Sequence, residues 1–384
     1  MSHTNHHLAT RLIHAGVTPD PTTGAIMTPI YQTSTYVQDG PGDHKGYEYA
    51  RTQNPTRAAL QAALASIEGG KYGLSFASGM AATDAVVKLL APGDEVIVSN
   101  DLYGGTYRVF TKIFAAYGIR FHFIPMADAE EIRQHITPAT KMLWVETPTN
   151  PLLNVVDVEA CASIAKAHDL MLVVDNTFAS PWLQNPLALG ATMVLHSATK
   201  YLGGHSDVVH GCVITSDEAI AERLAFIQNS CGGVPGPQDC FLVLRGLKTL
   251  HVRMQRHCEN GEAIARFLRS NSKVDRVLWC GFEDHPNHAV AARQMRGYGG
   301  MISFTLKDDR IEAANEVLKK TELFALAESL GGVESLIGHP ATMTHASIPH
   351  EDRVRNGLSD SLIRLSVGIE DVDDLIRDLK TAIG

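Results

Sequence analysis

Leu172-Val-Val-Asp175-Asn-Thr177 and His196-Ser-Ala-Thr-Lys200-Tyr-Leu-Gly-Gly-His-Ser-Asp207 are the stretches whose reading decides the fold. The first is an apolar strand that stops on a carboxylate. The second is the end of the next strand, running into a lysine set between hydroxyl residues and a Gly-Gly turn. Ligands of a parallel α/β sheet collect at the carboxyl ends of its strands. A lone Asp there would be read as a cap on a turn; an Asp followed by such a lysine at the next strand end points to a site.

Short apolar runs surround this pair on both sides. Strands are expected at 73–77, 95–99, 120–124, 142–146, 171–175, 192–196 and 211–215, with amphipathic helices between them at 80–90, 106–117 and 158–168. That alternation predicts an α/β domain with a mostly parallel, helix-covered sheet over 51–245. Beyond it, over 246–384, helices lengthen and strands thin to 274–279, 301–306 and 362–367, which reads as a smaller α+β domain. Residues 1–50 carry Pro19, Pro21, Gly24, Pro29 and Gly40-Pro-Gly42 with little periodicity, and read as an extended arm that packs on a neighbouring subunit.

Composition narrows the function classes. The chain has 384 residues, 45% hydrophobic and 20% charged, with a formal charge of −9, so nothing in it marks a nucleic-acid or anionic-membrane binder. No apolar run is long enough to span a bilayer and the His-rich start lacks an apolar signal core, so a cytoplasmic address is expected. The six cysteines are scattered without a C-x-x-C and read as reduced thiols; no metal site is expected. His285-Pro-Asn-His288 has metal-like spacing, but Pro286 interrupts the helix that would align both rings, so both are read as surface loop histidines.

Pyridoxal 5′-phosphate (PLP) needs an amine for a Schiff base, a carboxylate on its ring nitrogen and donors for its phosphate. Lys200, Asp175 and the hydroxyls of Ser197 and Thr199 would supply all three. Ser75-Phe-Ala-Ser-Gly79-Met80-Ala-Ala adds a strand-to-helix turn whose backbone amides suit a phosphate. Ser197-Ala-Thr-Lys200 also matches the S-x-x-K of β-lactamases, but the companion S-D-N and K-T-G motifs are missing. Neither a GxGxxG fingerprint nor a Walker A is present.

Eight blocks in order resemble the Cys/Met-metabolism family of PLP enzymes. They are Tyr47-Glu-Tyr49-Ala-Arg51-Thr-Gln-Asn54-Pro-Thr, Ser78-Gly-Met-Ala-Ala, Asp101-Leu-Tyr103-Gly-Gly-Thr and Glu146-Thr-Pro-Thr-Asn150-Pro, then Val174-Asp-Asn-Thr-Phe, Ser197-Ala-Thr-Lys200, Ala327-Glu-Ser-Leu-Gly-Gly and Leu362-Ile-Arg364-Leu-Ser-Val-Gly. The resemblance implies the aspartate aminotransferase-like PLP fold, fold type I, in a homotetramer built from dimers with shared sites. It implies that Lys200 holds the cofactor and shuttles protons, and that Asp175 keeps the ring nitrogen protonated. Tyr103 would stack on the ring and act as acid–base at the leaving sulfur. Gly79, Met80, Ser197 and Thr199 would hold the phosphate, with Tyr49 and Arg51 reaching the phosphate of the neighbouring subunit. Arg364 would clamp the substrate carboxylate, helped by Asn150 and Ser329.

Within the family the chain most resembles the cystathionine γ-lyases, with the γ-synthases close behind. Glu48 and Glu328 stand where the lyases place acids near the distal ammonium of cystathionine. Gly105 stands where methionine γ-lyases usually have Cys, and sulfhydrylases of the family are generally longer. A binding module that had lost catalysis would lack the Lys200–Asp175 pair. The lyase is therefore expected, on overall resemblance and on no single residue that separates it from the synthase.

Overall fold

The computed structural model describes residues 6–346 and 350–384. The described residues form twelve strands: β1 Tyr72–Phe76, β2 Glu95–Ser99, β3 Arg120–Ile124, β4 Thr140–Glu146, β5 Met171–Asp175, β6 Met193–Ser197, β7 Gly211–Thr215, β8 Val274–Leu278, β9 Met301–Leu306, β10 Ala325–Leu326, β11 Leu336–Gly338 and β12 Ile363–Ser366. Ten of these lie where the apolar runs place them; β10 and β11 were not anticipated. The chain divides into two compact units, one made of residues up to Leu89 with Thr192–His251, the other of Leu90–Ala191 with Val252–Gly384.

In the first unit the strands run β1-β7-β6, and β7 is antiparallel to both neighbours. The sequence pattern predicted a mostly parallel sheet without saying which strand is reversed, and the reason it is β7 is the connection. Between Ser197 and Gly211 the chain forms turns and no helix, whereas a parallel return needs a crossover, usually helical. The helix Pro55–Glu68 covers these strands. Asn54 caps it, its side chain accepting from the amides of Thr56 and Arg57, Pro55 opens the first turn, and Gly69 closes it in the left-handed region. Leu60, Leu64 and Ile67 on its inner face are fully buried. The N-terminal segment is not uniformly extended: Leu8–His14 is a helix that buries Leu12, and residues 15 to 54 after it hold no helix or strand.

In the second unit β5-β4-β2-β3 are all parallel, as the alternation predicted. Ile97, Leu143, Val145, Leu172 and Val174 pack with Ile164 of the helix Val158–Ala167 in one apolar cluster. Burial on both faces explains why these strands read as unbroken apolar runs. The C-terminal strands form a separate sheet ordered β10-β11-β12-β9-β8, whose core joins Ile302, Phe304, Ile363 and Leu365 to Leu375 and Leu379 of the helix Val372–Ile383. Pro286 does precede a helix, His288–Gln294, but the flanking histidines are only half-exposed. The His285 and His288 rings bond the Leu153 and Cys280 carbonyls, so both tie loops down. No helix among the described residues is long and apolar enough to cross a membrane. All six cysteines are free thiols.

His210, the residue before β7, is fully buried, and neither ring nitrogen has a hydrogen-bond partner among the described residues. Burial lowers its pKa from 6.5 to about 3. Between these values the unfolded chain binds a proton that the folded chain does not, so stability falls as the solution is acidified through that window. At about pH 5 the loss through His210 alone is about 2 kcal/mol relative to neutral pH, at about 1.4 kcal/mol per pH unit. His210→Leu is expected to match the wild type at about pH 8 and to keep about 2 kcal/mol more of its stability at about pH 5. Urea titrations at the two pH values measure this; equal acid losses in both proteins would show that His210 does not titrate as described.

Candidate active site

The first unit holds Lys200 on a tight sequence of turns. The Lys200 amide donates to the Ser197 carbonyl at 3.2 Å, Gly203 to Ala198 at 2.8 Å and Gly204 to Lys200 at 2.8 Å. Ser78 caps the helix Gly79–Val87, its hydroxyl accepting from the Ala81 amide at 3.0 Å and its carbonyl from Ala82. The amides of Gly79 and Met80 are the two left over at that helix start. Only glycine fits here: a Cβ on Gly79 would lie 2.9 Å from the Ser197 Cβ, and one on Gly211 would lie 2.1 Å from the Ser78 carbonyl oxygen. The cap turn and the Ser197 end of β6 thus close on each other with two amides and a hydroxyl in one place. A phosphate fits that donor set and the dipole of the helix start.

Other expected members of this half stand differently. The Thr199 hydroxyl donates to the His210 carbonyl at 3.2 Å and accepts its amide at 2.9 Å, so in this structure its proton is engaged within the turn. Tyr49 and Arg51 are exposed on the extended segment, the guanidinium 5.6 Å from the tyrosine ring centre. Glu48 is an exposed neighbour.

In the second unit the site residues gather around two strand-end carboxyls. Glu146 and Asp175 end β4 and β5 and lie opposite each other in the register. Asp175 accepts from the Thr177 amide at 3.0 Å and from its hydroxyl. Glu146 is 5% exposed, and burial, reinforced by the Asp175 charge, raises its pKa well above the usual carboxyl range. It accepts the Tyr103 amide at 3.0 Å and the Asn150 amide. Tyr103, 39% exposed, precedes the helix Gly104–Lys112. Its ring fills the space beside Gly105, where a Cβ would lie 2.4 Å from the tyrosine Cε1, so the ring could not lie there above a larger residue.

Asp101, also buried, accepts from the Thr149 hydroxyl, the Asn154 side-chain amide at 3.1 Å and the Leu152 amide at 3.3 Å, fixing the turn after β4. Burial raises its pKa to about 6. Ser303 of β9 donates to the Pro151 carbonyl at 2.7 Å and holds the same turn from the other sheet of this unit. Arg364 sits in β12 between β11 and β9 and is 5% exposed, an interior residue as its apolar setting predicted. It donates from Nη1 to Asn150 Oδ1 and from Nη2 to the Ser329 carbonyl, both at 2.9 Å. Ser329 adopts φ of 94°, a left-handed conformation that costs about 1–3 kcal/mol in a non-glycine residue. Arg364, Glu328, Ala327, His339, Met343 and Thr344 line a small, open concavity.

Three members of this network carried no role in the sequence reading. Glu146 and Asp101 stood inside quoted blocks, and an acid at or just past a parallel strand end was the signal that could have found them. His345, whose Nε2 lies 3.1 Å from the Asn150 carbonyl oxygen, is one of eighteen histidines, and nothing local distinguishes it.

The family model for Cys/Met metabolism PLP-dependent enzymes matches residues 9–384. A cystathionine β-lyase of Coxiella burnetii is 52% identical over 379 residues, covering 98% of each chain. A cystathionine γ-synthase of Mycobacterium tuberculosis is 53% identical over 378 residues, covering 98% of this chain and 96% of that one. A crystal structure of cystathionine γ-lyase from Lactobacillus plantarum complexed with L-serine aligns with a TM-score of 0.96 at 46% identity, over 98% of both chains. The chain has their fold, the fold type I architecture of PLP-dependent enzymes with its mixed, mostly parallel sheet.

A Cβ on Gly104 would lie 2.3 Å from the Thr344 carbonyl oxygen, a backbone atom with no rotamer to yield. Gly104→Ala is expected to cost about 1–3 kcal/mol, as overpacking does, and to displace the neighbouring Tyr103. Denaturant unfolding checks it, and an unchanged midpoint would show that the two backbones do not meet this closely.

Proposed function

We propose that the chain, which belongs to the Cys/Met-metabolism family of PLP-dependent enzymes, cleaves L-cystathionine at its γ-carbon–sulfur bond to give L-cysteine, 2-oxobutanoate and ammonia. One observation carries the substrate reading. Arg364 and Glu328 both line one small concavity, and a guanidinium suits a substrate carboxylate as a carboxylate suits a second ammonium.

PLP, when bound, supplies an electron sink for the negative charge that develops at the substrate α-carbon. The residues divide the remaining work. Gly79, Met80 and Ser197 would hold the phosphate, joined by Thr199 once its hydroxyl turns from the His210 carbonyl; Lys200 would hold the reactive carbon and Asp175 the ring nitrogen. Pushed toward its neutral form by burial and the Asp175 charge, Glu146 would compete less than a free carboxylate for that cationic partner, and it orients Tyr103 and Asn150 through their amides. The Lys200 amine would take the α-proton and return protons along the substrate. Tyr103 would stack over the cofactor and would deliver a proton to the departing sulfur. Arg364, steadied by Asn150 and Ser329, holds the α-carboxylate; Glu328, with Glu48, receives the distal ammonium.

The working unit in this reading is a homotetramer of dimers, in which the arm carrying Tyr49 and Arg51 completes a partner's phosphate site. The exposure of both side chains supports it. The γ-synthase is the second reading, favoured by the Mycobacterium tuberculosis relative; the Coxiella burnetii relative adds β-cleavage. Products separate the three. Cysteine with 2-oxobutanoate is expected, whereas homocysteine with pyruvate would mean β-cleavage. Efficient cystathionine formation from cysteine and an activated homoserine, with little cleavage, would mean the synthase.

Lys200→Ala is expected to abolish turnover and the visible absorbance of the bound cofactor while leaving the fold intact; ketoacid release near the wild-type rate would remove Lys200 from the mechanism. Mixed oligomers of Arg51→Ala and Lys200→Ala subunits are expected to regain activity, because one site of each hybrid dimer is whole. Verified hybrids that stay inactive would argue for self-contained sites. Glu328→Ala is expected to lower kcat/KM for cystathionine about 5- to 150-fold, the loss of a charge-assisted contact of about 1–3 kcal/mol. Homoserine-type substrates, lacking the distal group, should change little; equal losses on both would refute acidic recognition.

A further inference from the structure

We infer that His345 is a positioning residue for carboxylate recognition, holding with one imidazole the Asn150 turn that orients Arg364 and the backbone against which the Tyr103 turn rests. The inference builds on the reading of Arg364 as the carboxylate clamp.

His345 is 2% exposed. Its Nε2 lies 3.1 Å from the Asn150 carbonyl oxygen and its Nδ1 2.8 Å from the Thr344 hydroxyl. A carbonyl only accepts, so Nε2 carries the hydrogen. Burial first, then the nearby positive charge of Arg364, hold the ring's pKa down to about 4. The ring is therefore neutral, and Nδ1 keeps a lone pair for the Thr344 hydroxyl to donate into. Every polar atom of the pair has a partner of the right sense.

The consequence falls on Asn150. Its amide donates to Glu146 and its carbonyl accepts from His345, so the peptide groups on either side of its Cα are fixed. The side chain is then aimed, and its Oδ1 meets Arg364 Nη1 at 2.9 Å. The Leu102 carbonyl lies near the same ring. The Thr344 carbonyl fills the space beside Gly104, next to Tyr103. One imidazole thus sets both the guanidinium that would read the carboxylate and the turn that carries the tyrosine.

A ring that merely fills space could be replaced by any ring of its size; a donor aimed at a carbonyl could not. The test titrates holoenzyme with glycine and with methylamine, which lacks the carboxylate, following the visible absorbance of the bound cofactor. His345→Phe is expected to weaken glycine about 10-fold and to leave methylamine within about 2-fold. His345→Gln, whose amide reaches the Nε2 position, is expected to restore glycine affinity to within about 3-fold of the wild type. Unchanged glycine affinity in His345→Phe, equal losses for both amines, or a Gln variant as poor as Phe would each overturn the inference. Arg364→Ala is titrated alongside. If it keeps the preference for glycine, the clamp reading itself fails and the inference falls with it; if it loses the preference while His345→Phe keeps it, the inference alone fails. Should His345→Phe not fold, His345→Asn takes its place, since its shorter amide stops short of the Asn150 carbonyl. Weak glycine binding in Asn but not in Gln is then expected, and equal affinities would overturn the inference.

Discussion

A carboxyl buried at the end of a parallel strand is costly when charged, and burial beside Asp175 pushes Glu146 well above the usual carboxyl range, toward its neutral form. Much of the second unit's site depends on this choice. A neutral carboxyl can still accept two amides, and the two it accepts open the Tyr103 turn and the Asn150 turn. The two carboxyls lie opposite each other across β4 and β5, and the Asp175 charge adds to burial in disfavouring a charged Glu146.

The first unit depends on backbone proximity in place of charge. Gly79 and Gly211 let the cap turn, the end of β6 and the start of β7 approach within distances that no side chain tolerates. Because β7 is antiparallel to β6 and β1, Gly211 lies in register with both Ser197 and Phe76. The reversed strand is therefore part of what brings the anion-binding turn and the lysine turn together.

Much of this was legible in the sequence, for a physical reason. Strands 95–99, 120–124, 171–175 and 211–215 were located to the residue, because runs such as Glu95-Val-Ile-Val-Ser99 are buried on both faces and bounded by turn formers. The direction of β7 was not legible, since the period of a strand carries no information about which way it runs. Ala325–Leu326 and Leu336–Gly338 are too short to show any period at all. The helix Leu8–His14 went unread because the turn formers after it dominate the composition of that stretch. In the site, Lys200, Asp175 and Arg364 stood out because each is a charge placed where an apolar run should continue. His345 did not, because its importance lies in groups 195 and 19 residues away in the chain, Asn150 and Arg364.

The cysteines acquire a meaning once the chemistry is set beside them. An enzyme of Cys/Met metabolism works among small thiols, which attack protein disulfides and are captured by reactive protein thiolates. Cys161, Cys240 and Cys280 are buried and pushed up to about 12, chiefly by burial, so at neutral pH they offer almost no thiolate. Cys212 is buried in β7. With no disulfide to be reduced and four of six thiols sealed in the interior, thiol–disulfide exchange has little to act on. Cys231 is the exposed exception, at the end of the helix Glu218–Cys231, and mixed disulfides with cysteine or glutathione should form there before anywhere else.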